Sequence, residues 1–387
     1  MQILLIHNFS RNFNGEDAFY LSQLRLLKEN KHNVTEWTRN NNRITSNLFS
    51  KMKIVKGLYF PEIEKELSKI VRENRFDIVH IHNIFPLITP VVYRICKNFG
   101  IPTIQTIHNY RFMCPKAVLF RDGKVCELCV RKQFPYPSMI FGCYHGSYAA
   151  SAVFAPAFYY HKNIAKSFDS IDTYIFPASF TRDYYVKNLK LSSSKTVLLP
   201  YFVSVVNRKT KEQVKKNYFL FVGRLSEEKG IIELLEVFKT LPYQLVIIGD
   251  GPLKKQVSEY KKYKNIEIKK FLSRGKVFSY MQNAISTIIP SLWYEVLPMV
   301  MLESFANGTP VIVPKFGTFI NAVRNGETGL FYKQYDFDDL KAKILYAWKH
   351  KEILRQMGLN ARNECETKYT PEIHYEKLMK VYKSVLR

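Results

Sequence analysis

Two successive series of short apolar runs, each run followed by a helix-length amphipathic segment, constrain the fold of this chain most. The first series is Gln2–Ile6, Asp77–Ile81, Thr103–Ile107, Thr173–Phe176 and Thr196–Leu199, and the second is Tyr218–Val222, Gln244–Ile248, Ile266–Lys269, Thr287–Ile289 and Val311–Val313. Strands that alternate with helices in this way form parallel sheets. The sequence therefore predicts an α/β protein with two parallel-sheet domains joined near residue 205.

The length and the apolar pattern favour a cytoplasmic protein of two domains. The chain has 387 residues, which is enough for two cores of ordinary size. Met1–Phe9 is an apolar strand without a basic leader, so no signal peptide is expected. A membrane-spanning helix needs about eighteen clean apolar residues, and the nearest approach, Ser147–Tyr160, is shorter and contains Pro156.

The formal net charge of +25 points to an anionic partner. Nucleic acid, an anionic membrane surface and an anionic substrate all fit that charge, but the chain has no zinc-finger, helix-turn-helix or RNA-binding signature. Its basic residues are densest at Arg208–Lys216, Lys254–Lys264 and Lys341–Lys351. Each basic residue near anionic lipid contributes roughly 1 kcal/mol. We therefore expect a peripheral enzyme on the inner face of the plasma membrane, without a nucleic-acid partner.

Two carboxylates, Glu295 and Glu303, are the most informative chemical feature. They belong to a predicted strand-loop-helix unit in which Pro298 takes the first helical position and Gly308 follows the helix end. This arrangement predicts Glu295 at the rim of a crevice, with Glu303 nearly two turns inside the helix and directed at the same crevice. Carboxylates placed there suit vicinal hydroxyls of a sugar or ribose. The alternative is two solvated glutamates beside a core helix.

A glycine-flanked loop with two basic residues precedes these carboxylates in the chain. Gly223 ends a predicted strand and Gly230 begins the next helix, so Arg224 and Lys229 lie where a helix N-terminus favours an anion. Arginine offers a planar fork to phosphate oxygens and lysine a mobile point charge. The pattern predicts a phosphate site, although two exposed basic residues would also explain it. A second strand-to-helix turn, Gly249-Asp-Gly-Pro252, follows.

In their order along the chain, these motifs resemble those of the retaining nucleotide-sugar glycosyltransferases of family 4. The resemblance includes Gly-Arg-Leu-x-x-x-Lys-Gly, Gly-Asp-Gly-Pro and Glu-x7-Glu, and it implies the GT-B fold of two facing Rossmann-like domains with a cleft between them. It also implies roles in binding the donor. Arg224 and Lys229 would hold the diphosphate, Gly249 and Gly251 would lie beside the nucleobase, and the remaining donor contacts would come from Gly223, Glu295, Leu297 and Glu303.

The resemblance extends to the first half of the chain. His108 follows the strand Thr103–Ile107, and family members have a histidine there that contacts the transferred sugar. His108, Arg224, Lys229 and Glu295 are therefore the expected catalytic residues. Gly15 stands where the family often has two adjacent glycines near the donor phosphates. His80 and His82 share one face of a strand and are interpreted as structural, although His82 can also line the cleft.

The resemblance implies retention of configuration and a last helix that returns to the first domain, and the two series of strands indicate the domain limits. The acceptor domain would span residues 1–204 with an excursion at 112–147, and the donor domain would span 205–370. The helix 371–387 would cross back onto the first domain. The expected mechanism is same-face substitution, in which a leaving phosphate oxygen takes the proton of the acceptor hydroxyl. Two basic residues would then make a metal unnecessary, and we find no Asp-x-Asp pair of the kind that holds a metal in metal-dependent transferases, so catalysis is expected to require no cofactor.

Four cysteines in the excursion suggest a separate structural site. Cys126 and Cys129 form a Cys-x2-Cys pair, with Cys114 and Cys143 on either side. This is the ligand inventory of a tetrahedral zinc site, and cytosolic cysteines seldom form stable disulfides. A structural zinc ion would hold the excursion together beside the acceptor site. The alternative is four reduced thiols.

The function favoured by these observations is transfer of a sugar from a nucleotide diphosphate sugar, most often a UDP sugar in this family. The acceptor would be a lipid-linked saccharide in the synthesis of a bacterial capsule, O-antigen or exopolysaccharide. One competing function is a basic nucleic-acid-binding protein on a Rossmann-like scaffold, which would explain the charge but not the clustered motifs. Another is a GT-B relative that epimerises or hydrolyses its substrate.

Overall fold

The computed structural model describes residues 1–43, 61–204, 217–270 and 272–386, which form two compact units. The first unit contains Met1–Leu119, Glu127–Leu199 and Tyr375–Arg387, and the second contains Phe120–Cys126 and Pro200–His374. The basic run at 208–216 lies outside the described residues. Within them, none of the helices combines the length and the apolar character needed to cross a bilayer.

Strands and helices alternate along most of the described chain. The strands are β1 (Gln2–Phe9), β2 (Asn33–Asn40), β3 (Ile78–Ile81), β4 (Thr103–Thr106), β5 (Phe120–Arg121), β6 (Lys124–Val125), β7 (Thr173–Phe176), β8 (Thr196–Leu198), β9 (Tyr218–Val222), β10 (Gln244–Ile248), β11 (Ile266–Lys269), β12 (Ser286–Ile288), β13 (Val311–Pro314) and β14 (Gly329–Tyr332). The helices are α1 (Gly15–Glu29), α2 (Pro61–Glu73), α3 (Val91–Asn98), α4 (Pro137–Ile140), α5 (Tyr148–Tyr159), α6 (Ser179–Leu189), α7 (Ile231–Lys239), α8 (Lys254–Ser258), α9 (Arg274–Asn283), α10 (Met299–Ala306), α11 (Phe319–Ala322), α12 (Phe337–Lys349), α13 (Lys351–Lys368) and α14 (Pro371–Val385).

Each unit is built on a parallel sheet, which confirms the predicted fold class of two Rossmann-like domains. In the described residues the first sheet has six strands in the order β2-β1-β3-β4-β7-β8, and the second has six in the order β11-β10-β9-β12-β13-β14. All ten predicted apolar runs coincide with strands, within a few residues at their ends. The strands β2 and β14 at two sheet edges, and the antiparallel hairpin β5-β6, were not predicted.

The strand order creates one topological switch point in each sheet. In the first sheet the chain places β2 on one side of β1 and β3 on the other. In the second sheet, β10 and β12 flank β9 in the same manner. Loops that leave the carboxyl ends of strands on either side of such a point diverge to opposite faces and leave a crevice where ligands bind. The loops after β9 and β12, which carry Lys229 and Glu295, border the crevice of the second unit.

Apolar strands pack against amphipathic helices in both units. In the first unit Ile3, Ile78 and Ile104 form a core with Leu378 and Tyr382 of α14, all of them fully buried. Residues 375–385 of the last helix therefore belong to the core of the unit that begins the chain. In the second unit the strands β9, β10 and β13 contribute Phe219, Ile247 and Ile312 to a core that includes residues of α7 and α12.

The units divide at Leu199/Pro200 and at His374/Tyr375, a few residues from the predicted limits of 204/205 and 370/371. The reason is a set of contacts between residues just after β8 and residues around the start of α14. The backbone N–H of Val203 donates to the Tyr369 carbonyl at 2.9 Å, and His374 Nδ1 is hydrogen-bonded to the Pro200 carbonyl at 2.8 Å.

Candidate active site

A buried ion pair joins the two loops of the second crevice. Lys229 Nζ lies 2.6 Å from Glu295 Oε1, and the Glu295 side chain is only 6% exposed. Ser291 Oγ donates to the same carboxylate oxygen at 2.7 Å, and the Lys229 ammonium lies 5.1 Å from the centre of the Trp293 ring. The carboxylate is thus held by two donors, and the lysine is oriented at the switch point by both the carboxylate and an indole face.

The two loops also meet backbone to backbone at Gly230. This residue has a φ of 66°, and a Cβ atom built on it would lie 2.0 Å from the Pro290 carbonyl oxygen. The backbone N–H of Leu292 donates to the Glu228 carbonyl at 2.9 Å in the same place. Only glycine fits this position, because both the left-handed conformation and the close carbonyl exclude a side chain. The approach fixes the spacing between Lys229 and Glu295.

Gly249 and Gly251 serve packing inside the protein. A Cβ atom on Gly249 would lie 2.0 Å from the Gly223 carbonyl oxygen, and one on Gly251 would lie 2.4 Å from the Leu225 carbonyl oxygen. The turn after β10 therefore supports the loop after β9. Gly223 differs, because a Cβ atom there would meet only the Phe221 ring, at 3.6 Å. The described protein atoms leave room beside Gly223.

Arg224 and Lys229 differ in their partners. Lys229 is paired with Glu295 and is three-quarters buried, whereas the Arg224 side chain is exposed. Across the ranges that the structure covers, no carboxylate lies within ion-pair distance of Arg224, so its guanidinium is available to an external anion. The sequence predicts the same phosphate-binding role for both basic residues. In the structure, the charge of Lys229 is already paired with a carboxylate and that of Arg224 is open to solvent.

Glu303 pairs with an arginine that the sequence did not single out. Arg274, the first residue of α9, lies 3.1 Å from Glu303 Oε1 through one guanidinium nitrogen. Burial raises the pKa of Glu303, and the charge of Arg274 opposes that rise. The contact depends on how α9 packs beside α10, so motif spacing carried no signal for it. Sequence reasoning also assigned no role to Ser291 and Trp293, which lie just before Glu295 in the same loop.

The predicted depth of the two carboxylates was wrong. The α10 helix begins at Met299 with Pro298 as its N-cap, so Glu303 is the fifth helical residue and lies little more than one turn inside. Its side chain is 19% exposed, compared with 6% for Glu295, so Glu295 is the deeper of the two. The cause is the ion pair with Lys229, which draws the Glu295 side chain inward. Leu297, predicted to influence donor specificity, is buried in the same loop. Gly308, with a φ of 67°, ends the helix as predicted.

The hairpin β5-β6 is part of the second unit although it interrupts the chain of the first. The backbone N–H of Gly123 donates to Glu227 Oε1 at 3.1 Å, and that of Val125 donates to the Tyr335 hydroxyl oxygen at 3.2 Å. The Tyr335 hydroxyl in turn donates to the Leu292 carbonyl at 3.0 Å. The tip of the predicted excursion at 112–147 thus contacts both loops that carry Lys229 and Glu295.

In the first unit, histidines in or just after the neighbouring strands β3 and β4 lie close together. His82 Nδ1 and His108 Nε2 are 2.9 Å apart, and their rings stack with centroids separated by 5.1 Å. His80 stacks on the other side of His82 at 4.7 Å. His80 also contacts the Tyr382 hydroxyl and Thr106 Oγ1, both at 2.7 Å. His80 and His82 therefore share one strand face, and His82 orients His108 directly.

Burial governs the charge of His108. It lowers the pKa of His108 well below the ordinary 6.5, and the neighbouring His7 and His80 lower it further. His108 is therefore neutral near pH 7, and its ring can offer one donor and one acceptor nitrogen.

We expect the folded state to lose stability in acid because of this histidine. The unfolded chain takes up a proton near pH 6.5 and the folded chain does not, so stability is full above that pH and falls below it. His108→Gln should remove a slope of up to about 1.4 kcal/mol per pH unit in the free energy of unfolding. Urea unfolding between about pH 7.5 and pH 5.5 measures it, and equal slopes in both proteins would contradict the assignment.

The carboxyl group of Glu16, at the start of α1, lies close to Asn109, the residue after His108. Gly15 begins the helix after the N-cap Asn14, and Asn109 Nδ2 donates to Glu16 Oε2 at 3.3 Å. Burial raises the pKa of Glu16 to about 8, Asp17 adds to the rise, and Asn109 and Arg111 oppose it. Its Oε1 atom is buried without a hydrogen-bond partner in the described chain. Acidic residues are favoured in the first turn of any helix, so the sequence did not indicate that the Glu16 carboxyl group is buried.

The four cysteines of the excursion do not assemble in the structure. Cys114 is buried, whereas Cys126, Cys129 and Cys143 are half-buried, and no disulfide joins any cysteine of the described chain. Across residues 1–43, 61–204, 217–270 and 272–386, no group of three or more histidine, cysteine or acidic side chains has an arrangement that could hold a metal ion.

Comparison with known families accounts for most of the chain. The family model described as Glycosyltransferase Family 4 matches residues 23–206, and the model described as Glycosyl transferases group 1 matches residues 205–364. The two matches meet near the predicted domain boundary.

Curated relatives point in the same direction. The chain is 28% identical over 204 residues to an uncharacterized glycosyltransferase of Methanocaldococcus jannaschii, covering 52% of this chain and 58% of that protein. It is 25% identical to the capsular polysaccharide biosynthesis glycosyltransferase CapM of Staphylococcus aureus, over 57% of this chain and 60% of that one. It is 24% identical to the alpha-monoglucosyldiacylglycerol synthase of Acholeplasma laidlawii, over 85% and 81%. The chain thus spans little more than half the length of the first two of these relatives.

Solved structures support the fold. The sucrose-phosphate synthase of Thermosynechococcus elongatus superimposes with a TM-score of 0.74 at 17% identity, covering 100% of this chain and 99% of that one. Anabaena HepE, solved in complex with UDP, superimposes with a TM-score of 0.67 at 13% identity, covering 99% and 100%. Together with the family models and the relatives, these structures support a GT-B glycosyltransferase of family 4.

Proposed function

We propose that this protein transfers a sugar from a nucleotide diphosphate sugar, with UDP as the nucleotide, to a lipid-linked saccharide. The observation that carries the proposal is the Lys229–Glu295 ion pair at the switch point of the second unit, beside Arg224, which is exposed and has no ion-pair partner in the part of the chain that the structure describes. The site offers cations to a diphosphate and carboxylates to hydroxyl groups, which are the two kinds of polar group in such a donor.

Each basic side chain has a separate part in holding the diphosphate. Arg224 needs no rearrangement to donate to phosphate oxygens, because no carboxylate of the described residues forms an ion pair with it. Lys229 lies next to Glu295 and can share its ammonium protons between that carboxylate and a phosphate oxygen. The first turn of α10 has no side-chain cap, so its N–H groups also favour an anion at this point. The positive charge needed by the leaving diphosphate is therefore supplied by the protein.

The carboxylates suit the hydroxyl-bearing parts of the donor. We assign Glu295 to the transferred sugar, because it is fixed by Lys229 and Ser291 and lies deepest. We assign Glu303 to the ribose, because its side chain is more accessible and is held by Arg274. His108 is assigned to the transferred sugar from the first unit on the strength of the family resemblance. Same-face substitution with retention is the reaction that fits a site in which Glu295 is already engaged by a lysine.

The acceptor assignment rests on the relatives. CapM is described as a capsular polysaccharide biosynthesis enzyme, and another relative is described as an O-antigen chain mannosyltransferase. A lipid-linked saccharide for a bacterial surface polysaccharide is the acceptor class that we propose for this chain, with the reaction at the inner face of the plasma membrane.

The proposal predicts that Arg224→Ala weakens UDP binding. One charge-assisted hydrogen bond contributes roughly 1.5–3 kcal/mol, so we expect the affinity to fall by about 10- to 150-fold. Calorimetric titration with UDP, GDP and ADP, without added metal, measures this and selects the base. Arg355→Ala is the matched control, because Arg355 has a 54% exposed side chain on α13. If none of the three diphosphates binds the wild-type protein, the donor assignment fails.

A further inference from the structure

The helix α5 has an exposed side that carries no charge. Its sequence, Tyr-Ala-Ala-Ser-Ala-Val-Phe-Ala-Pro-Ala-Phe-Tyr, contains no acidic or basic residue. Phe154 and Phe158 are buried on one side of it, whereas Tyr148, Ala152 and Pro156 are exposed at intervals of four residues and so share the other side. A helix at the surface of a protein in water normally presents charged or polar residues there.

Neighbouring segments extend this surface with large apolar side chains. The short helix α4 packs against α5 and leaves Tyr136 and Ile140 exposed four residues apart, by 45% and 59%. A turn that continues α5 leaves Ile164 63% exposed, and Asn163 Nδ2 donates to the Gln133 carbonyl at 3.5 Å, which ties that turn to the segment before α4. We call the exposed set the apolar face: Tyr136, Ile140, Tyr148, Ala152, Pro156 and Ile164.

The charged residues of the segment that carries the apolar face have one sign. Residues Leu128–Phe168 include no aspartate or glutamate, and their lysine and arginine residues are Arg131, Lys132, Lys162 and Lys166. The Lys132 ammonium lies 5.8 Å from the centre of the Tyr136 ring. Lysine stems that run along aromatic rings with the charge outside are typical of a surface that meets lipid headgroups.

The apolar face could be covered by a second copy of the chain or by a lipid bilayer, and the net charge of the protein decides between them. A second copy of the chain would bring +25 against +25 and repeat the basic segment opposite itself. An anionic bilayer would instead attract the basic residues and accept the apolar side chains between its headgroups. We propose that the apolar face docks the protein on an anionic phospholipid bilayer. This deepens the proposed function, because a lipid-linked acceptor is presented at such a surface, but the apolar face is argued from its own residues.

Cosedimentation with vesicles tests the proposal. Wild-type protein should bind vesicles of equimolar phosphatidylglycerol and phosphatidylcholine and should bind pure phosphatidylcholine far less. Ile140→Asp combined with Ile164→Asp should lower the partition coefficient on the mixed vesicles by roughly tenfold or more. Ile353→Asp combined with Leu359→Asp is the matched control, because it changes two aliphatic residues of α13, 43% and 52% exposed, and the net charge identically. Lys132→Gln should lower binding by roughly fivefold on anionic vesicles only.

Three results would overturn the proposal. They are no binding of the wild type to the mixed vesicles, equal losses in the two double variants, and a wild-type dimer in sedimentation equilibrium that Ile140→Asp with Ile164→Asp dissociates. The last would assign the apolar face to a second copy of the chain. UDP titration of the same variants separates membrane docking from donor binding. If their affinity for UDP is unchanged, a loss of vesicle binding does not bear on the proposed donor site.

Discussion

Lys229→Ala should reduce kcat/KM for sugar transfer by roughly 10²- to 10³-fold, the effect of removing one preorganised electrostatic contact to a developing negative charge. The lysine has two tasks in the structure. It is the cation closest to Glu295, at 2.6 Å, and it is the proposed partner of the leaving diphosphate. Alanine removes both, so among the described residues the buried Glu295 carboxylate keeps Ser291 Oγ as the donor to its Oε1. We therefore also expect a loss of stability, of about 1–3 kcal/mol.

Companion variants separate the two tasks of Lys229. Lys229→Arg keeps the charge and should restore stability more fully than activity, because a guanidinium does not match an ammonium in position. Lys229→Ala combined with Glu295→Gln should recover stability but not transfer. Lys239→Ala is the control, since Lys239 forms an exposed ion pair with Glu236 on α7. If Lys229→Ala retains wild-type kcat/KM with the authentic substrates, the assignment of the site is wrong.

Gly230→Ala should strongly destabilise the second unit. A Cβ atom would lie 2.0 Å from the Pro290 carbonyl oxygen, and the residue has a φ of 66°. The left-handed conformation costs roughly 1–2 kcal/mol and overpacking against backbone roughly 1–3 kcal/mol, so we expect a loss of about 3–5 kcal/mol. Because the clash moves the loop of Pro290 away, the spacing of Lys229 and Glu295 should change as well.

Urea unfolding followed by tryptophan fluorescence measures this effect. In a Trp37→Phe background the remaining tryptophans, Trp293 and Trp348, both report on the second unit. Gly275→Ala is the control, because a Cβ atom at Gly275 meets nothing within 4 Å and the residue lies in α9. That variant should be as stable as the wild type or slightly more stable. A Gly230→Ala protein with an unchanged unfolding midpoint would show that the loops can separate without cost.

Most of the fold was predictable because the central strands of parallel sheets are apolar on both faces. Where a strand lies at the edge of a sheet, that signal weakens. In β2 only Trp37 is buried, so its polar sequence does not resemble a core strand. The edge strand β14 begins at Gly329, a residue disfavoured in strands. It is required there because a Cβ atom would lie 2.5 Å from the Val311 carbonyl oxygen.

The candidate site was predictable as a set of positions but not as a set of contacts. The loops of Arg224, Lys229 and Glu295 follow from strand order, because the carboxyl ends of β9 and β12 are neighbours. The pairing of Lys229 with Glu295, by contrast, inverts the predicted depth of the two carboxylates. The partner of Glu303, Arg274, comes from a helix whose position depends on packing. Motif spacing encodes neither, since both result from contacts between segments distant in the chain.

The chain leaves the first unit and returns to it more than once, because residues 120–126 belong to the second unit and residues 375–385 to the first. On a ribosome, the first unit would therefore be synthesised almost completely and still lack Leu378 and Tyr382, two fully buried residues of its core. Its maturation would have to wait until the second unit had emerged. A nonsense or frameshift mutation before α14 would thus damage the domain that is made first, leaving apolar strands exposed to chaperones and proteases.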